Sequence, residues 1–485
     1  MRALLRRAPD AAPSLPPACD PTFQQRVFVS DAHFRNSGGV VLFYTGNEAD
    51  VELYVNHTGL MWEHAERLGA LLVWAEHRYY GQTQPCGGKD LAYLTHEQAL
   101  ADYKANVATL RAEYKAEGVA VVALGGSYGG MLSAWFRMRY PGTVDGAIAA
   151  SAPILAFPGV TPAYDTETYW GVVTGAASEK PGGAAAACAA NVRAAWKPLF
   201  TAADDAGDEG KAALQRDFNL CAPPAPLGEQ SAGERLAYFA MMAFDTMAMG
   251  NFPFESDYLT GGTGIMLPAY PVRAACEHLK DVGLPADTDQ LLQALGQATS
   301  VFTNPGGSLP CVDLPEDLTY DGIWDYQYCT QLLPQETYFA RDGARDMFWP
   351  SAYDPDTQAK HCAAKYGVTP NTTLIAREYG GLEGVKRATN IVFSNGLLDP
   401  WSSGGVLQNV SGADESVVAI QLPSGAHHSD LFFSNEKDAA DVAEARLVEL
   451  MHIRRWAAAG RSAGAVKGAD AMGAAPRRAA AQARV

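Results

Sequence analysis

The 485-residue sequence predicts an α/β fold, in which a mostly parallel sheet is interrupted by a helical insertion. Short apolar runs end at turn residues and alternate with helical spacing, the pattern of a parallel sheet covered by helices on both faces. Between residues 155 and 385 the sequence pattern changes to Ala-rich helical stretches, and this region contains six of the eight cysteines. Strand-like runs return after this region, so the sheet domain is predicted to be discontinuous in sequence.

The strands predicted before the insertion are three apolar runs that stop at turn or polar residues. They lie at 40–44, 71–75 and 119–124. Residues 96–117, between the second and third runs, have helical spacing. After the insertion, 391–394 and 417–422 are predicted strands, and 436–458 is a predicted amphipathic helix that closes the domain.

Domain boundaries follow from these patterns. Residues 1–22, rich in Pro and Ala, are predicted to be a loose N-terminal segment. The sheet domain comprises 23–154 and 386–458, and 155–385 forms the helical cap domain. The Ala/Gly/Arg-rich tail 459–485 is predicted to be disordered.

Composition excludes several classes of protein. Hydrophobic residues make up 48% and charged residues 19% of the chain, as in globular domains rather than disordered chains. The formal charge of -17 repels a phosphate backbone, so nucleic acid is not an expected partner. No apolar run reaches the length of a membrane span.

Indirect signals indicate an oxidising compartment, a lysosome or vacuole or the cell exterior. Clustered cysteines without a C-x-x-C pair suggest disulfides, with buried free thiols as the alternative. Sequons at Asn56, Asn371 and Asn409 are predicted glycosylation sites. Residues 1–7 are basic, but no apolar signal-peptide core follows them, and we therefore expect the N-terminus to be truncated.

One motif indicates nucleophilic catalysis. Gly125-Gly126-Ser127-Tyr128-Gly129 matches G-x-S-x-G, with an apolar strand before it and a helical segment after it. This strand–turn–helix context is the nucleophile elbow of α/β-hydrolases, in which glycines leave room for a tight turn. The sequence therefore predicts Ser127 as a nucleophile presented at a helix N-terminus.

A serine needs a base and an acid, which follow it in the order acid, then histidine, in α/β-hydrolases. Asp399 comes directly after a late strand and is the candidate acid. His427 and His428 come after the next strand, and spacing alone does not separate them as the base. The backbone amide of Tyr128 and a donor in Gly46-Asn47 are the candidate oxyanion hole.

Several segments together resemble one serine peptidase family. They are GGSYGGMLSAWFRMRYP, AEHRYYG, YTGNE, WDYQYCTQ, SNGLLDPW and GAHHSDL. The sequence resembles, over about residues 23–455, the family of lysosomal Pro-Xaa carboxypeptidase and dipeptidyl peptidase II. The resemblance implies an α/β-hydrolase fold with an inserted helical, disulfide-bonded cap, and a triad of Ser127, Asp399 and His427.

The resemblance also implies disulfides Cys188–Cys276, Cys221–Cys311 and Cys329–Cys362. Whether Cys19 and Cys86 pair stays open.

By the same resemblance, the chain cleaves after proline, or alanine, near one end of a short peptide. Met131, Trp401 and Met347 are the implied walls of an apolar proline pocket. Asp325 is the expected partner of a free amino terminus, and Glu48 is a second acidic contact. These two acidic residues predict release of N-terminal Xaa-Pro dipeptides. Removal of a C-terminal residue after proline is the alternative.

Two further alternatives stay open. The first is an esterase on the same fold, and the second is a non-catalytic binding protein on a hydrolase scaffold. For the favoured interpretation we expect no metal or cofactor, short proline-containing peptides as substrates, and no membrane span. A homodimer is left open.

Overall fold

The computed structural model describes residues 2–9, 22–283, 287–316, 322–331, 339–410 and 416–473, with the backbone alone for 2–9 and 461–473. None of the helices in these ranges has the length and apolar composition needed to cross a membrane.

Eight strands form one mixed sheet. They are β1 (Arg2–Pro9), β2 (Thr22–Ser30), β3 (Val40–Thr45), β4 (Ala70–Ala75), β5 (Ala120–Gly126), β6 (Gly146–Ala150), β7 (Ile391–Gly396) and β8 (Val417–Leu422). Their order is β1-β2-β4-β3-β5-β6-β7-β8. β1 and β2 are antiparallel to their neighbours, and the other six strands run parallel. Because parallel strands end at one edge, the loops after β3, β5, β7 and β8 meet there.

Helices cover both faces of the sheet. They are α1 (Val51–His57), α2 (Gly59–Leu68), α3 (His96–Glu113), α4 (Tyr128–Arg139) and α15 (Ala440–Gly473). Alternate residues of β3 divide between two cores: Val41 and Phe43 pack with α3 and α4, whereas Leu42 and Tyr44 pack with α1, α2 and α15. Burial on both faces explains why the central strands are continuous apolar runs.

Between β6 and β7, the described residues form ten helices. They are α5 (Thr168–Ala176), α6 (Cys188–Phe200), α7 (Gly207–Asp217), α8 (Ala232–Met249), α9 (Pro271–Glu277), α10 (Thr288–Thr303), α11 (Gly322–Gln331), α12 (Pro355–Tyr366), α13 (Leu374–Tyr379) and α14 (Gly381–Arg387). Most of them share a separate apolar core. Ile375, Tyr379 and Val385, near the end of the insertion, instead pack into the core of the sheet domain. The architecture is an α/β-hydrolase fold with an inserted helical cap.

Three disulfides tie the insertion together, in the pairs that the resemblance implies. They are Cys188–Cys276, Cys221–Cys311 and Cys329–Cys362. Cys86 is also disulfide-bonded, and Cys19 lies outside the described residues.

The ends of the chain differ from the sequence expectation. Within 1–22, expected to be loose, Arg2–Pro9 pairs with β2, because its prolines begin only at Pro9 and leave the preceding amides free to bond. Within 459–485, expected to be disordered, the closing helix continues to Gly473. Its Ala-rich sequence favours helix.

Candidate active site

Ser127 occupies a sharp turn between β5 and α4. Its backbone lies at φ 59° and ψ -129°, a conformation that side-chain-bearing residues adopt rarely and that marks functional turns. Its amide donates to Ala150 O at 3.0 Å, and its carbonyl accepts from Met131 N at 3.0 Å. Ser127 is partly exposed between buried neighbours, so the turn leaves it accessible to solvent.

Glycines on either side allow this turn to close. A Cβ on Gly125 would lie 2.2 Å from Gly129 O, and one on Gly130 would lie 2.6 Å from Ala150 O. A Cβ on Gly126 would lie 2.5 Å from the ring of His428. The nucleophile turn is therefore packed directly against the loop that carries the two histidines.

Asp399 and His427 are brought together at the ends of β7 and β8. Asp399 Oδ2 lies 2.8 Å from His427 Nδ1, and both residues are buried. Asp399 Oδ1 also accepts from Trp401 N at 3.2 Å, which fixes the carboxylate. His427 N donates to Met249 O at 3.0 Å, so the cap helix α8 contacts the loop. This pairing leaves His427 Nε2 available to a nucleophile.

His428 occupies a different environment. Its backbone lies at φ 35°, and its amide donates to Ser151 Oγ at 2.8 Å. Its ring packs against Tyr258 and Phe432 and has no hydrogen-bond partner among the described residues. Burial, followed by the charge of His427, holds the pKa of His428 well below its usual value, so this ring stays neutral. The geometry favours His427 as the base.

The predicted oxyanion donors differ in their availability. In the described part of the chain, the amides of Tyr128 and Asn47 have no acceptor, whereas Gly46 N donates to Ala75 O at 3.1 Å. Gly46 O in turn accepts from Tyr103 Oη at 2.5 Å, so Gly46 is held by its neighbours. Asn47 is therefore better placed than Gly46 to supply the second donor.

Glu48 is the acidic residue near this loop. Burial raises its pKa above the usual value, and Asn47 and His427 are among the groups that oppose the shift. Its Oε2 atom is shielded from solvent and has no hydrogen-bond partner among the described residues. Glu48 can therefore be a neutral acid at acidic pH, which donates a hydrogen bond, and an anion at higher pH.

Two of the expected pocket walls lie beside the triad. Met131, one turn after Ser127, is buried against the sheet core. Trp401 packs against Tyr169 and Phe339 of the cap, and its Nε1 donates to Met249 Sδ at 3.1 Å. Met347 is fully buried in the cap core, where its carbonyl accepts from Trp196 Nε1 at 2.7 Å. Met347 therefore supports the cap rather than presenting its side chain at an open surface.

Asp325 lies in a closed polar network on α11. Its carboxylate accepts from Tyr366 Oη at 2.9 Å and pairs with Lys365 Nζ at 2.7 Å and His361 Nε2 at 2.9 Å. It is fully buried. This arrangement does not offer a free carboxylate to a substrate amine. The helix directs Trp324 and Gln327 towards Tyr128 and turns Asp325 to α12 instead.

Sequence reasoning assigned no role to a hydrogen-bonded chain behind the nucleophile. His77 Nε2 lies 3.1 Å from Tyr128 Oη, which accepts from Gln327 Nε2 at 2.5 Å. Tyr80 Oη donates to Gln327 Oε1 at 2.9 Å. Burial lowers the pKa of His77 to about 3, so it is a neutral structural partner. The AEHRYYG and WDYQYCTQ segments, which carry these residues, were the available signal.

The described residues contain two clusters with metal-ligand chemistry. They are Asp325, Cys329 and His361, and His96, Glu97 and Glu378. The first lacks a thiolate because Cys329 is in a disulfide. In the second, Arg139 already pairs with Glu378 at 3.3 Å. Neither arrangement favours a metal.

Comparisons with known proteins identify the family of this chain. The family model described as serine carboxypeptidase S28 matches residues 17–449. Lysosomal Pro-X carboxypeptidase of Bos taurus is 37% identical over 447 residues, covering 90% of this chain and 84% of that protein. The Homo sapiens protein of the same name is 37% identical over 446 residues, with the same coverage. Among solved structures, proline iminopeptidase from Mycobacterium smegmatis has a TM-score of 0.39 at 12% identity, covering 94% of this chain and 99% of that chain.

Proposed function

Because the chain belongs to the serine carboxypeptidase S28 family, whose members are serine-type exopeptidases, we propose that it removes the C-terminal residue that follows proline in short peptides. The observation that carries this proposal is the closed network around Asp325, which leaves no free carboxylate on α11 for a substrate amine. The names of the relatives support the same end of the peptide.

The proposed reaction is acyl transfer. Ser127 Oγ attacks the carbonyl carbon of proline while His427 Nε2 takes the serine proton. Asp399, held at 2.8 Å from His427 Nδ1, fixes the ring tautomer and stabilises the imidazolium. The imidazolium then protonates the leaving amine, and a water molecule activated by the same histidine releases the peptide acid and restores Ser127.

Two backbone amides are proposed to stabilise the negative charge that develops on the carbonyl oxygen. The amides of Tyr128 and Asn47 are proposed to bind it, since neither has an acceptor in the described residues. Met131 and Trp401 are proposed to contact the proline ring, which an indole face and a thioether suit. The cap is proposed to limit access to the ends of peptide chains.

Glu48 is proposed to bind the C-terminal carboxylate of the substrate. With its pKa raised by burial, it is neutral at acidic pH and can donate a hydrogen bond to that carboxylate. As pH rises through the pKa of Glu48, the acid ionises and repels the substrate. Activity on C-terminal substrates should therefore fall with rising pH, and Glu48→Gln should extend activity to higher pH.

Two substrates test the proposal. One is an amine-blocked peptide that ends in Pro-Xaa, and the other is a free-amine Xaa-Pro arylamide. Both are assayed at acidic pH with the wild-type protein, Glu48→Gln and, as the inactive control, Ser127→Ala. Cleavage of the blocked peptide alone supports the proposal, and cleavage of the arylamide alone contradicts it.

Release of N-terminal Xaa-Pro dipeptides is the second candidate, favoured by the unpartnered Oε2 of Glu48 beside the triad, as seen among the described residues. An ammonium group requires an ionised carboxylate, so this function predicts that Glu48→Gln weakens arylamide binding, seen as a higher KM. An esterase would hydrolyse a small ester but neither peptide, and a binding protein would not react with a fluorophosphonate.

A lysosomal or secreted location is also proposed. Disulfides in the cap suit an oxidising compartment, and the named relatives are lysosomal. Asn56, Asn371 and Asn409 are exposed, as glycan attachment requires. Mobility after glycosidase treatment of protein from a eukaryotic host, compared with Asn371→Gln, tests this.

A further inference from the structure

Two buried carboxyl groups lie behind the loop that carries His427. Asp430 comes three residues after His427 and is 1% exposed, and Glu449 on α15 is fully buried. Asp430 Oδ2 accepts a 2.5 Å hydrogen bond from Ser394 Oγ on β7, the strand that leads to Asp399. These contacts connect the strand before the proposed acid, the loop of the proposed base and the closing helix.

The carboxyl group of Glu449 has little to stabilise a negative charge. Neither of its carboxyl oxygens has a hydrogen-bond partner within the described ranges. Arg446, one turn earlier on α15, is engaged elsewhere: Nη1 pairs with Asp438 Oδ2 at 2.5 Å, and Nε donates to Asp430 O at 3.1 Å. Burying a carboxylate without hydrogen-bond donors is strongly unfavourable, so such a group takes up a proton instead.

The neighbours of Glu449 reinforce this conclusion. Burial, followed by the charge of Asp430, raises the pKa of Glu449 well above its usual value, while Arg446 and Ser394 oppose the shift only in part. His452, the next titratable residue on α15, packs on Trp456. The side chains of Glu449 and Asp430 interact and both are buried, and two such carboxyl groups do not both ionise.

We propose that Asp430 and Glu449 share one proton and that this pair positions the His427 loop against β7. While the proton is held, Glu449 donates to Asp430 and the loop is fixed. When the proton is lost at higher pH, two buried anions repel each other and the loop separates from β7. The pair therefore positions His427 without touching the substrate. The triad is assembled at acidic pH, where the shared proton is bound.

The rate at which a fluorophosphonate labels Ser127 reports triad assembly without reference to any peptide. It is measured from acidic to alkaline pH for the wild type, Glu449→Gln and the exposed control Glu444→Gln on the same helix. The glutamine amide donates to Asp430 at every pH. We expect wild type and Glu444→Gln to lose labelling at alkaline pH, and Glu449→Gln to shift that loss upward by about one pH unit or more. An unchanged alkaline loss in Glu449→Gln would overturn the proposal.

A second measurement decides the matter if Glu449→Gln does not fold. The infrared spectrum of wild-type protein at neutral pH should contain a protonated-carboxyl band. The band should persist in Glu48→Gln, which removes another buried carboxyl group with a raised pKa. Its absence from both proteins would overturn the proposal, whatever peptide the enzyme cleaves.

Discussion

At the scale of single residues, Ser127, Asp399 and the His427-His428 pair could be selected as candidates from the sequence because each comes in a segment that follows a strand. The choice between His427 and His428 rested on the resemblance alone, and the structure separates them by their contacts. Asp325 shows where the sequence stops being informative. The resemblance implied that it binds a free amino terminus, but only the helix face decides that Trp324 and Gln327 meet Tyr128 while Asp325 meets α12.

Asp399→Asn tests the proposed acid. An asparagine amide holds the imidazole in the wrong tautomer, and we expect kcat to fall about 10⁴-fold with the fold intact. Peptide hydrolysis and circular dichroism measure the two effects. A fall of less than about tenfold would show that Asp399 does not orient the base.

Asp325→Ala tests the closed network on α11. Removing one partner of a buried ionic network leaves uncompensated charge, and we expect a loss of about 3–5 kcal/mol in the free energy of unfolding. Denaturant unfolding measures this loss, with the exposed Asp281→Asn as the matched control. Unchanged stability with a raised KM for the Xaa-Pro arylamide would instead assign Asp325 to substrate binding.

At the scale of elements, the central strands β3, β4 and β5 were predicted from their apolar runs, since burial on both faces leaves a strong signal. β6 was not predicted. Four of the five residues in Gly146–Ala150 are Gly or Ala, which have weak strand preference, and a Cβ on Gly146 would lie 2.1 Å from Trp456 of α15. Close packing between elements leaves little trace in a single sequence, so such a strand is found only from the structure.

Gly126→Ala tests how closely the elbow and the histidine loop fit. The added Cβ would lie 2.5 Å from the His428 ring and must displace the loop. We expect about a 10²-fold loss of kcat/KM, the usual effect of moving a catalytic group by about 1 Å. Gly142→Ala, whose Cβ would meet nothing within 4 Å, is the control and should retain activity. Equal activities of the two variants would contradict the packing.

At the scale of the whole molecule, the changes in sequence pattern at 155 and 385 predicted an inserted cap. In the structure, the helical insertion separates strands β6 and β7 of the sheet. The end of the cap domain could not be read from the sequence, because α13 and most of α14 lie within the predicted cap, 155–385, yet pack on the sheet domain. Helical periodicity shows that a segment has an apolar face but not which domain covers that face.

The disulfides are expected to hold the cap together. Cys188–Cys276 closes 88 residues, and the double variant Cys188→Ala/Cys276→Ala should lower the free energy of unfolding by about 2–5 kcal/mol. Denaturant unfolding with separate tryptophan and circular dichroism readouts measures it. Stability equal to that of the wild type would show that the cap core suffices without this bond.

The central claim is that Ser127 acts on one bond near a peptide end. The most direct test is mass spectrometry of the products from a peptide with both termini free and proline at the second and penultimate positions, incubated at acidic pH. We predict the loss of one C-terminal residue, and no product with Ser127→Ala. Loss of an N-terminal dipeptide would contradict the assignment of the peptide end, and internal fragments would contradict an exopeptidase altogether.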